Sequence, residues 1–248
     1  MTELKIINWI KNYIENSGFE SLIIGVSGGI DSALVSTLCA KTGKKTIVIS
    51  MPIHQAFDQL ERANNHIKWL KEKYQNVESY TIDLTELFDN FKSLFGPTEN
   101  KLTLANSRSR LRMVTLYQIA GMHKGLVVGT GNKVEDFGVG FFTKYGDGGV
   151  DISPIGDLTK TEVREMAKYL GVLEEILTAK PADGLWEDDR SDEDQLGATY
   201  EELEWAMEYT KRKNLDDMTH RQKEVLSIYK KFNSQNKHKM VEIPIFKK

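Results

Sequence analysis

The sequence is short of several residue types on which whole classes of protein depend. It has one cysteine and five histidines among 248 residues, which excludes an intramolecular disulfide framework and a zinc site built from paired cysteines. No two histidines are four residues apart, so we assign no metal to them. The 33 basic and 36 acidic residues give a formal net charge of −3, which disfavours a protein that binds nucleic acid through a basic surface.

Long apolar segments are lacking as well. No run approaches the ~18 consecutive apolar residues that span a membrane. Residues 1–20 have no uninterrupted apolar core of the kind that signal peptides carry. We therefore expect a cytoplasmic protein that contacts no membrane. With 40% hydrophobic residues, the chain is still long and apolar enough to form a sizeable core.

Short apolar runs alternate with amphipathic segments along the first half of the chain. The runs have the length of strands and lie at residues 22–26, 46–49, 77–82 and 126–128. Predicted helices lie at residues 3–16, 31–43, 57–74, 84–95 and 105–122. Continuous apolar strands between helices are typical of a parallel sheet that is buried on both faces. We predict an α/β fold, a doubly wound parallel sheet with helices on both faces, in a single domain over residues 1–248.

The second half of the chain contains two stretches that we predict to be irregular, residues 136–151 and residues 181–195. The first is rich in glycine and the second in acidic residues. Irregular segments of this length in a compact domain are usually functional or disordered. Between and after them, Thr159 with Glu162, Thr199 with Glu202, and Thr219 with Gln222 have the spacing of capping boxes, which predicts helices that begin there.

The first predicted strand runs directly into the string SGGIDS, residues 27–32. Two adjacent glycines and the start of a helix expose backbone N–H groups, which together can bind an anion. Asp31 is informative, because a carboxylate beside phosphates repels them unless a cation such as Mg²⁺ lies between. The string matches neither the P-loop nor GxGxxG. It predicts a site for a metal-bound polyphosphate, and a tight turn with Asp31 as helix cap is the simpler alternative.

This string after a buried strand resembles the phosphate loop of the N-type ATP pyrophosphatases. Further segments resemble one group among them, the NAD synthetases: residues 129–135, 140–151 and 154–160, Gly184-Leu185-Trp186, Ser191-Asp192-Glu193 and Lys237-His238-Lys239. The resemblance covers about residues 20–240. It implies that the predicted sheet is of the adenine nucleotide α-hydrolase-like type and that the chain forms a homodimer.

The resemblance also implies three groups of site residues. ATP would bind to Gly25, Val26, Ser27, Gly28, Gly29, Ile30, Asp31, Ser32, Thr130 and Lys160. Mg²⁺ would bind to Asp31 and Glu135, and these two residues with Lys160 would be catalytic. The acid dinucleotide would bind to Arg110, Lys144, Asp151, His238 and Lys239. Each of Arg110, Glu135 and His238, considered alone, could be a charged surface residue. A site is favoured because the motifs occur together and in the same order along the chain as in the family.

The chain departs from the family pattern at two places. Ala182 stands where the family often has serine or threonine, so one hydroxyl contact to a phosphate is lost. The stretch from Glu135 to Lys144 is one residue longer than in some members. The second departure affects the loop that would carry part of the substrate site.

The resemblance implies that the chain amidates nicotinic acid adenine dinucleotide through an acyl-adenylate, giving NAD, AMP and pyrophosphate. Glutamine as the nitrogen source would need an additional amidase domain with a nucleophilic cysteine, and Cys39 lies just after the phosphate loop, so we expect free ammonia. Two alternatives remain. The same scaffold could amidate nicotinate mononucleotide, and a non-catalytic ATP-binding sensor would keep the glycine loop without needing Asp31 or Glu135.

Overall fold

A computed structural model describes residues 2–97, 100–180, 191–212 and 218–248. In this part of the chain, a sheet is formed by β1 (Ser21–Gly25), β2 (Lys45–Ser50), β3 (Val77–Thr81) and β4 (Gly125–Val127). The strand order is β3-β2-β1-β4 and every neighbouring pair is parallel. The predicted parallel sheet is therefore confirmed, with strand bounds within one residue of the predicted ones.

Helices connect the strands and continue beyond the sheet. The first half of the chain contains α1 (Thr2–Ser17), α2 (Ile30–Lys41), α3 (Phe57–Lys73), α4 (Thr85–Ser93) and α5 (Lys101–His123). The second half contains a π-helix (Lys133–Val139), α6 (Lys160–Tyr169), α7 (Glu174–Leu177), α8 (Asp192–Leu196), α9 (Tyr200–Tyr209) and α10 (His220–Met240). Among the described residues, no helix combines the length and the apolar character needed to cross a membrane.

Both faces of the sheet are covered by helices. Leu22 and Ile24 of β1 pack with α1, α2 and α6, whereas Ile23 between them packs with α4 and α5. Burial on both faces explains why the strands are continuous apolar runs rather than alternating ones. Cys39 is fully buried in the first of these clusters, and this burial raises the pKa of its thiol.

The strand order changes direction at β1, which has β2 on one side and β4 on the other. In doubly wound sheets a crevice forms at such a point, outside the carboxyl ends of the strands. The SGGIDS loop follows β1, and the segment that follows β4 leads into the π-helix. The fold therefore brings these two segments to the same edge of the sheet.

Helix α10 forms a separate cluster of buried side chains with the π-helix, α8 and α9. Asn233 and Asn236 of α10 donate to the carbonyl oxygens of Gly138 and Val139, at 2.7 and 2.8 Å. A Cβ atom on Gly140, whose φ is +64°, would lie 2.5 Å from the Cβ of Asn236. Helix α10 is thus bonded and closely packed against the π-helix that carries Glu135.

Sequence reasoning described the second half of the chain less well than the first. All three predicted capping boxes are present, and a fourth, Ser191 with Asp194, was not predicted. The prediction of irregular structure over residues 136–151 is wrong at its start, because the π-helix extends to Val139. The prediction for residues 181–195 is wrong at its end, because α8 begins at Asp192. Ala182 and Gly184-Leu185-Trp186 lie outside the described residues.

Candidate active site

A cavity of about 780 Å³ opens at the crevice between β1 and β4. All eight residues from Gly25 to Ser32 line it, and so do residues of α3, α5, α6, α10, the π-helix and the segment before it. A large concave pocket with converging polar groups at a switch point of the sheet is where α/β proteins bind ligands. Thr130, which we predicted to bind ATP, also lines this cavity.

Hydrogen bonds within the phosphate loop fix its conformation. Ser32 Oγ accepts from the N–H of Ser27 at 3.2 Å and donates to the carbonyl oxygen of Gly29 at 2.9 Å. Gly28 has a φ of +84°, and a Cβ atom there would lie 2.5 Å from the carbonyl oxygen of Gln59, so only glycine fits. Gly29, which has no side chain, is the N-cap of α2. The simpler alternative, in which Asp31 caps this helix, is therefore wrong.

Three predicted site residues meet beside the loop, although they come from three different elements. Lys160, the first residue of α6, donates from Nζ to Asp31 Oδ2 at 2.6 Å and to Glu135 Oε1 at 3.0 Å. Lys160 is 2% exposed. Asp31 lies in the first turn of α2 and Glu135 in the π-helix. The chain thus buries one ammonium group between two carboxylates at the edge of the cavity.

The charges in this cluster shift one another's ionisation. Burial opposes the charged form of Lys160, but Asp31 and Glu135 outweigh it and raise the pKa of the ammonium group, which stays protonated. Burial would also raise the pKa of Glu135, but Lys160 and a hydrogen bond from Tyr200 outweigh it and lower that pKa. At Asp31 burial prevails over the attraction of Lys160 and raises the pKa.

Two residues that sequence reasoning missed hold the cluster in place. Asn132 donates from Nδ2 to Asp31 Oδ1 at 3.1 Å, and its Oδ1 accepts from the N–H groups of Val134 and Glu135. Tyr200 is fully buried, its hydroxyl donates to Glu135 Oε1 at 2.5 Å, and Lys160 Nζ lies 4.7 Å from its ring centroid. Asn132 could have been found as a capping residue, whereas Tyr200 has no local signal.

Four of the five residues predicted to bind the acid dinucleotide line another part of the same cavity: Arg110, Lys144, His238 and Lys239. Arg110 Nε donates to the carbonyl oxygen of Lys144 at 3.2 Å, and Lys144 Nζ to that of His238 at 2.9 Å. Lys239 Nζ donates to the carbonyl oxygen of Phe142 at 2.7 Å, and burial lowers its pKa. Because these partners are neutral carbonyls, the cationic groups can still attract an anionic ligand.

The fifth residue, Asp151, is not among the residues that line the cavity. Its Oδ2 accepts from the N–H of Val127 at 2.8 Å and its Oδ1 from the hydroxyl of Tyr117 at 2.9 Å. The carboxylate therefore ties the loop to β4 and α5. The structure does not bring it to the other predicted substrate residues of the same chain.

Asp136 and Asp147 are among the further carboxylates that line the cavity and were not predicted as site residues. Burial is the largest cause that raises the pKa of each. Asp147 accepts from Ser109 Oγ at 2.6 Å and from the N–H of Thr143 at 3.1 Å. Asp136 follows Glu135 in the π-helix, and its carboxylate lies against the backbone of Gly131, where a Cβ atom would collide with it.

The donor set beside the phosphate loop fits the magnesium ion that the sequence resemblance implies. Asp31 and Glu135 approach one ammonium group from two sides, so their carboxylates can share one cation. Mg²⁺ in nucleotide sites is typically held by one or two carboxylates together with substrate phosphates and water. Among the described residues, no group of three or more His, Cys, Asp or Glu side chains forms a metal site by itself. The ligand phosphates would therefore have to complete the coordination.

A parallel sheet with a glycine-rich loop at its switch point is the fold of one class of nucleotide-binding enzymes. This class is the PP-loop type, to which the N-type ATP pyrophosphatases belong. The family model for NAD synthase matches residues 3–243 of the chain. The NH(3)-dependent NAD(+) synthetase of Carboxydothermus hydrogenoformans is 41% identical over 208 residues, which are 81% of this chain and 82% of that protein. That of Finegoldia magna is 38% identical over 223 residues, 88% of this chain and 90% of that one. The chain belongs to the NAD synthase family.

Solved structures agree with this assignment. The NMN synthetase from Francisella tularensis superposes with a TM-score of 0.86 at 31% identity, covering 99% of this chain and 98% of that one. The NH3-dependent NAD synthetase from Campylobacter jejuni, in complex with the nitrate ion, gives 0.79 at 27% identity with the same coverage. The chain is accordingly an enzyme, a ligase that forms a carbon–nitrogen bond, and the alternative of a non-catalytic sensor is wrong.

Proposed function

We propose that the chain uses ATP and ammonia to amidate nicotinic acid adenine dinucleotide, which gives NAD, AMP and pyrophosphate. The observation that carries this proposal is the buried ammonium group of Lys160, bonded to Asp31 and Glu135 beside the phosphate loop. The names of the Carboxydothermus and Finegoldia relatives support ammonia as the nitrogen donor.

In the first step, an oxygen of the nicotinate carboxylate attacks the α-phosphorus of ATP. The bond from this phosphorus to the bridging oxygen of the β-phosphate breaks, so that pyrophosphate leaves and an acyl-adenylate forms. The N–H groups of the loop and the charge of Lys160 stabilise the negative charge that develops on the phosphates. Asp31 and Glu135 would hold Mg²⁺, which neutralises phosphate charge when it is bound.

In the second step, the nitrogen of ammonia attacks the acyl carbon, AMP leaves, and one proton is released as the amide forms. Arg110, Lys144 and Lys239 line the cavity and bind the anionic groups of the dinucleotide. Their contribution is orientation, which brings the carboxylate to the α-phosphate. We assign no general base, since binding and positioning account for the step.

A second candidate substrate is supported by a specific observation. The Francisella protein that superposes with a TM-score of 0.86 is an NMN synthetase. The alternative is therefore amidation of nicotinate mononucleotide in the same cavity, by the same two steps. The two substrates share the nicotinate ring, its ribose and one phosphate, and they differ in the adenylate half.

The test is an assay of the purified protein with ATP, Mg²⁺ and either acid nucleotide, with ammonium or glutamine as nitrogen donor. We expect equal amounts of NAD and AMP from the dinucleotide with ammonium, and no product with glutamine. Amide product from the mononucleotide alone would replace the first proposal by the second. AMP without amide from either substrate would contradict both.

A further inference from the structure

The charges next to the phosphate loop do not balance a polyphosphate. The charge of Lys160 is more than offset by Asp31 and Glu135, which lie 2.6 and 3.0 Å from its Nζ atom. These three groups together are negative, and even with one Mg²⁺ on the two carboxylates the cluster is far less positive than the triphosphate of ATP is negative. A further cationic side chain beside the loop would therefore favour binding.

Arg62 occupies such a position. It lies on α3 and lines the cavity together with the residues of the loop. Helix α3 packs directly on Gly28 in the middle of the loop, and a Cβ atom on Gly28 would lie 3.3 Å from the Cβ of Arg62. The base of the Arg62 side chain therefore contacts the loop. Its helix, α3, is different from the elements that carry Lys160 and Glu135.

The present partner of Arg62 holds it weakly. Its Nη1 donates to Asp58 Oδ2 at 2.8 Å, one turn earlier on the helix, and the Asp58 side chain is 67% exposed against 19% for Arg62. Exposed ion pairs of this kind contribute little to stability. In the described part of the chain, the buried Nε of Arg62 has no acceptor at all. A buried N–H without an acceptor is unfavourable, so a ligand oxygen would relieve it.

We propose that Arg62 binds the phosphates of ATP that leave as pyrophosphate, an inference that rests on the use of ATP in the proposed function. Arginine presents parallel N–H donors whose geometry matches two oxygens of a phosphate. The guanidinium group exchanges the exposed carboxylate of Asp58 for phosphate oxygens in the loop. Arg62 approaches Gly28 at the centre of the loop, whereas the cations Lys144 and Lys239 lie elsewhere in the cavity.

The test measures binding of ATP, AMP and pyrophosphate by calorimetry, with Mg²⁺ present and without the acid nucleotide or ammonia. For Arg62→Gln we expect the dissociation constants of ATP and pyrophosphate to rise about tenfold or more, and that of AMP to change less than about twofold. Arg62→Lys keeps the positive charge but removes the parallel N–H donors of the guanidinium group. We expect its dissociation constants for ATP and pyrophosphate to lie between those of Arg62→Gln and the wild type.

Two variants of the same helix serve as controls. Asp58→Asn removes the ion pair but keeps Arg62, so we expect it to bind pyrophosphate as well as the wild type or better. Lys68→Gln removes an exposed charge that pairs with Glu72 at 4.0 Å, and we expect unchanged binding. Thermal unfolding of each variant checks that it is folded.

Wild-type affinity for pyrophosphate in Arg62→Gln would overturn the proposal. So would an equal loss in Asp58→Asn or Lys68→Gln, since Arg62 would then act through the helix or through net charge. An equal loss of AMP binding would also overturn it, because AMP lacks the phosphates in question. A wild type that binds ATP through Arg62 but amidates neither acid nucleotide would refute the proposed function and leave this inference standing.

Discussion

The hydroxyl group of Tyr200 connects α9 to the charged cluster beside the phosphate loop. Tyr200 Oη lies 2.5 Å from Glu135 Oε1 and 3.2 Å from Asp192 Oδ2, so its one hydrogen is donated to the nearer carboxylate, and its ring lies beside the ammonium group of Lys160. Lys160 also donates to Glu135 Oε1, at the longer distance of 3.0 Å. Tyr200 is therefore a positioning residue for the carboxylate that we expect to hold Mg²⁺.

Tyr200→Phe removes this hydroxyl and keeps the ring. We expect the free energy of unfolding to fall by about 1–3 kcal/mol, because a buried carboxylate loses a donor. We also expect the Mg²⁺ concentration for half-maximal AMP formation to rise about tenfold, as is usual when a residue that orients a metal ligand is lost. Urea unfolding and a Mg²⁺ titration measure the two effects. Tyr229 is a buried tyrosine of the same cluster, and Tyr229→Phe should leave the Mg²⁺ dependence unchanged. A wild-type Mg²⁺ dependence in Tyr200→Phe would refute the positioning role.

His66 makes stability depend on pH. It is fully buried on α3, its Nε2 lies 3.0 Å from Ser36 Oγ, and burial lowers its pKa from 6.5 to about 4. Between these two values the unfolded chain binds a proton that the folded chain does not, so stability falls as the pH is lowered through this window. From pH 7 to pH 5 we expect His66 to account for a loss of about 2 kcal/mol.

The measurement is urea unfolding of the wild type and His66→Gln at both pH values. The variant should lose less stability than the wild type on going from pH 7 to pH 5, by the amount assigned to His66. His220→Gln, at the exposed start of α10, should keep the wild-type dependence. If His66→Gln loses as much stability as the wild type, the pH dependence comes from other groups.

Sequence reasoning found the residues that lie in motifs and missed those that packing brings in. Asp31, Glu135 and Lys160 each lie next to a glycine-rich loop or a helix start, and the fold brings them together. Tyr200 lies 65 residues from Glu135, and only the packing of α9 on the π-helix joins them. Asp151 shows the opposite case, since its motif suggested a substrate contact while its oxygens bond Val127 and Tyr117.

The π-helix is the element that the sequence indicated only indirectly. The sequence shows that the stretch from Glu135 to Lys144 has one more residue than in some family members. It does not show how the chain accommodates this residue. The structure has a π-helix over Lys133–Val139, and such wider turns absorb an additional residue, frequently at functional sites. Propensities do not distinguish this turn from a loop in a segment that contains two glycines, Gly138 and Gly140.

Deleting Phe137, whose side chain is half exposed, tests what this helix does. The deletion shortens the segment by one residue, which displaces the carbonyl oxygens of Gly138 and Val139 from Asn233 and Asn236. We expect the KM for the acid nucleotide to rise about tenfold or more, because the segment that leads to Lys144 is displaced. The KM for ATP should change little.

Phe137→Ala is the matched control, since it removes the same side chain and keeps the length of the segment. We expect nearly wild-type kinetics from it. If the deletion and the alanine variant behave alike, the turn has no part in placing Lys144. If the deletion raises both KM values equally, it disturbs the whole cavity rather than the substrate half.

The architecture of the molecule followed from few features of the sequence. Strands with apolar side chains on both faces require helices on both sides, and a glycine loop after a strand lies at the carboxyl edge of the sheet. The pairing of β4 with β1 joins residues 21–23 to residues 125–127, which no local pattern encodes. The same holds for the C-terminal helices, whose caps were predicted but whose packing on the π-helix was not.

The face of α5 beside Asp151 bears on the assembly of the molecule. A groove of about 690 Å³ lies there, lined mostly by apolar side chains. Val114 and Tyr145 in it are 67% and 60% exposed, and Tyr117 in it bonds Asp151. Apolar side chains that are exposed together typically mark an interaction site. We propose that a second copy of the chain covers this face, which would bring Asp151 to a shared interface and reconcile its predicted substrate role with its position outside the cavity.

Light scattering after size exclusion should accordingly give twice the 28.2 kDa mass of one chain. Val114→Glu places a charge in the proposed interface, where it would be buried without a partner, so we expect a monomer. Because Asp151 would then have no partner subunit beside it, the KM for the acid nucleotide should rise while ATP binding stays the same. Tyr169→Glu, exposed on α6 at the other face of the sheet, should remain dimeric and active. A wild type that is monomeric and fully active would contradict both the homodimer and the role assigned to Asp151.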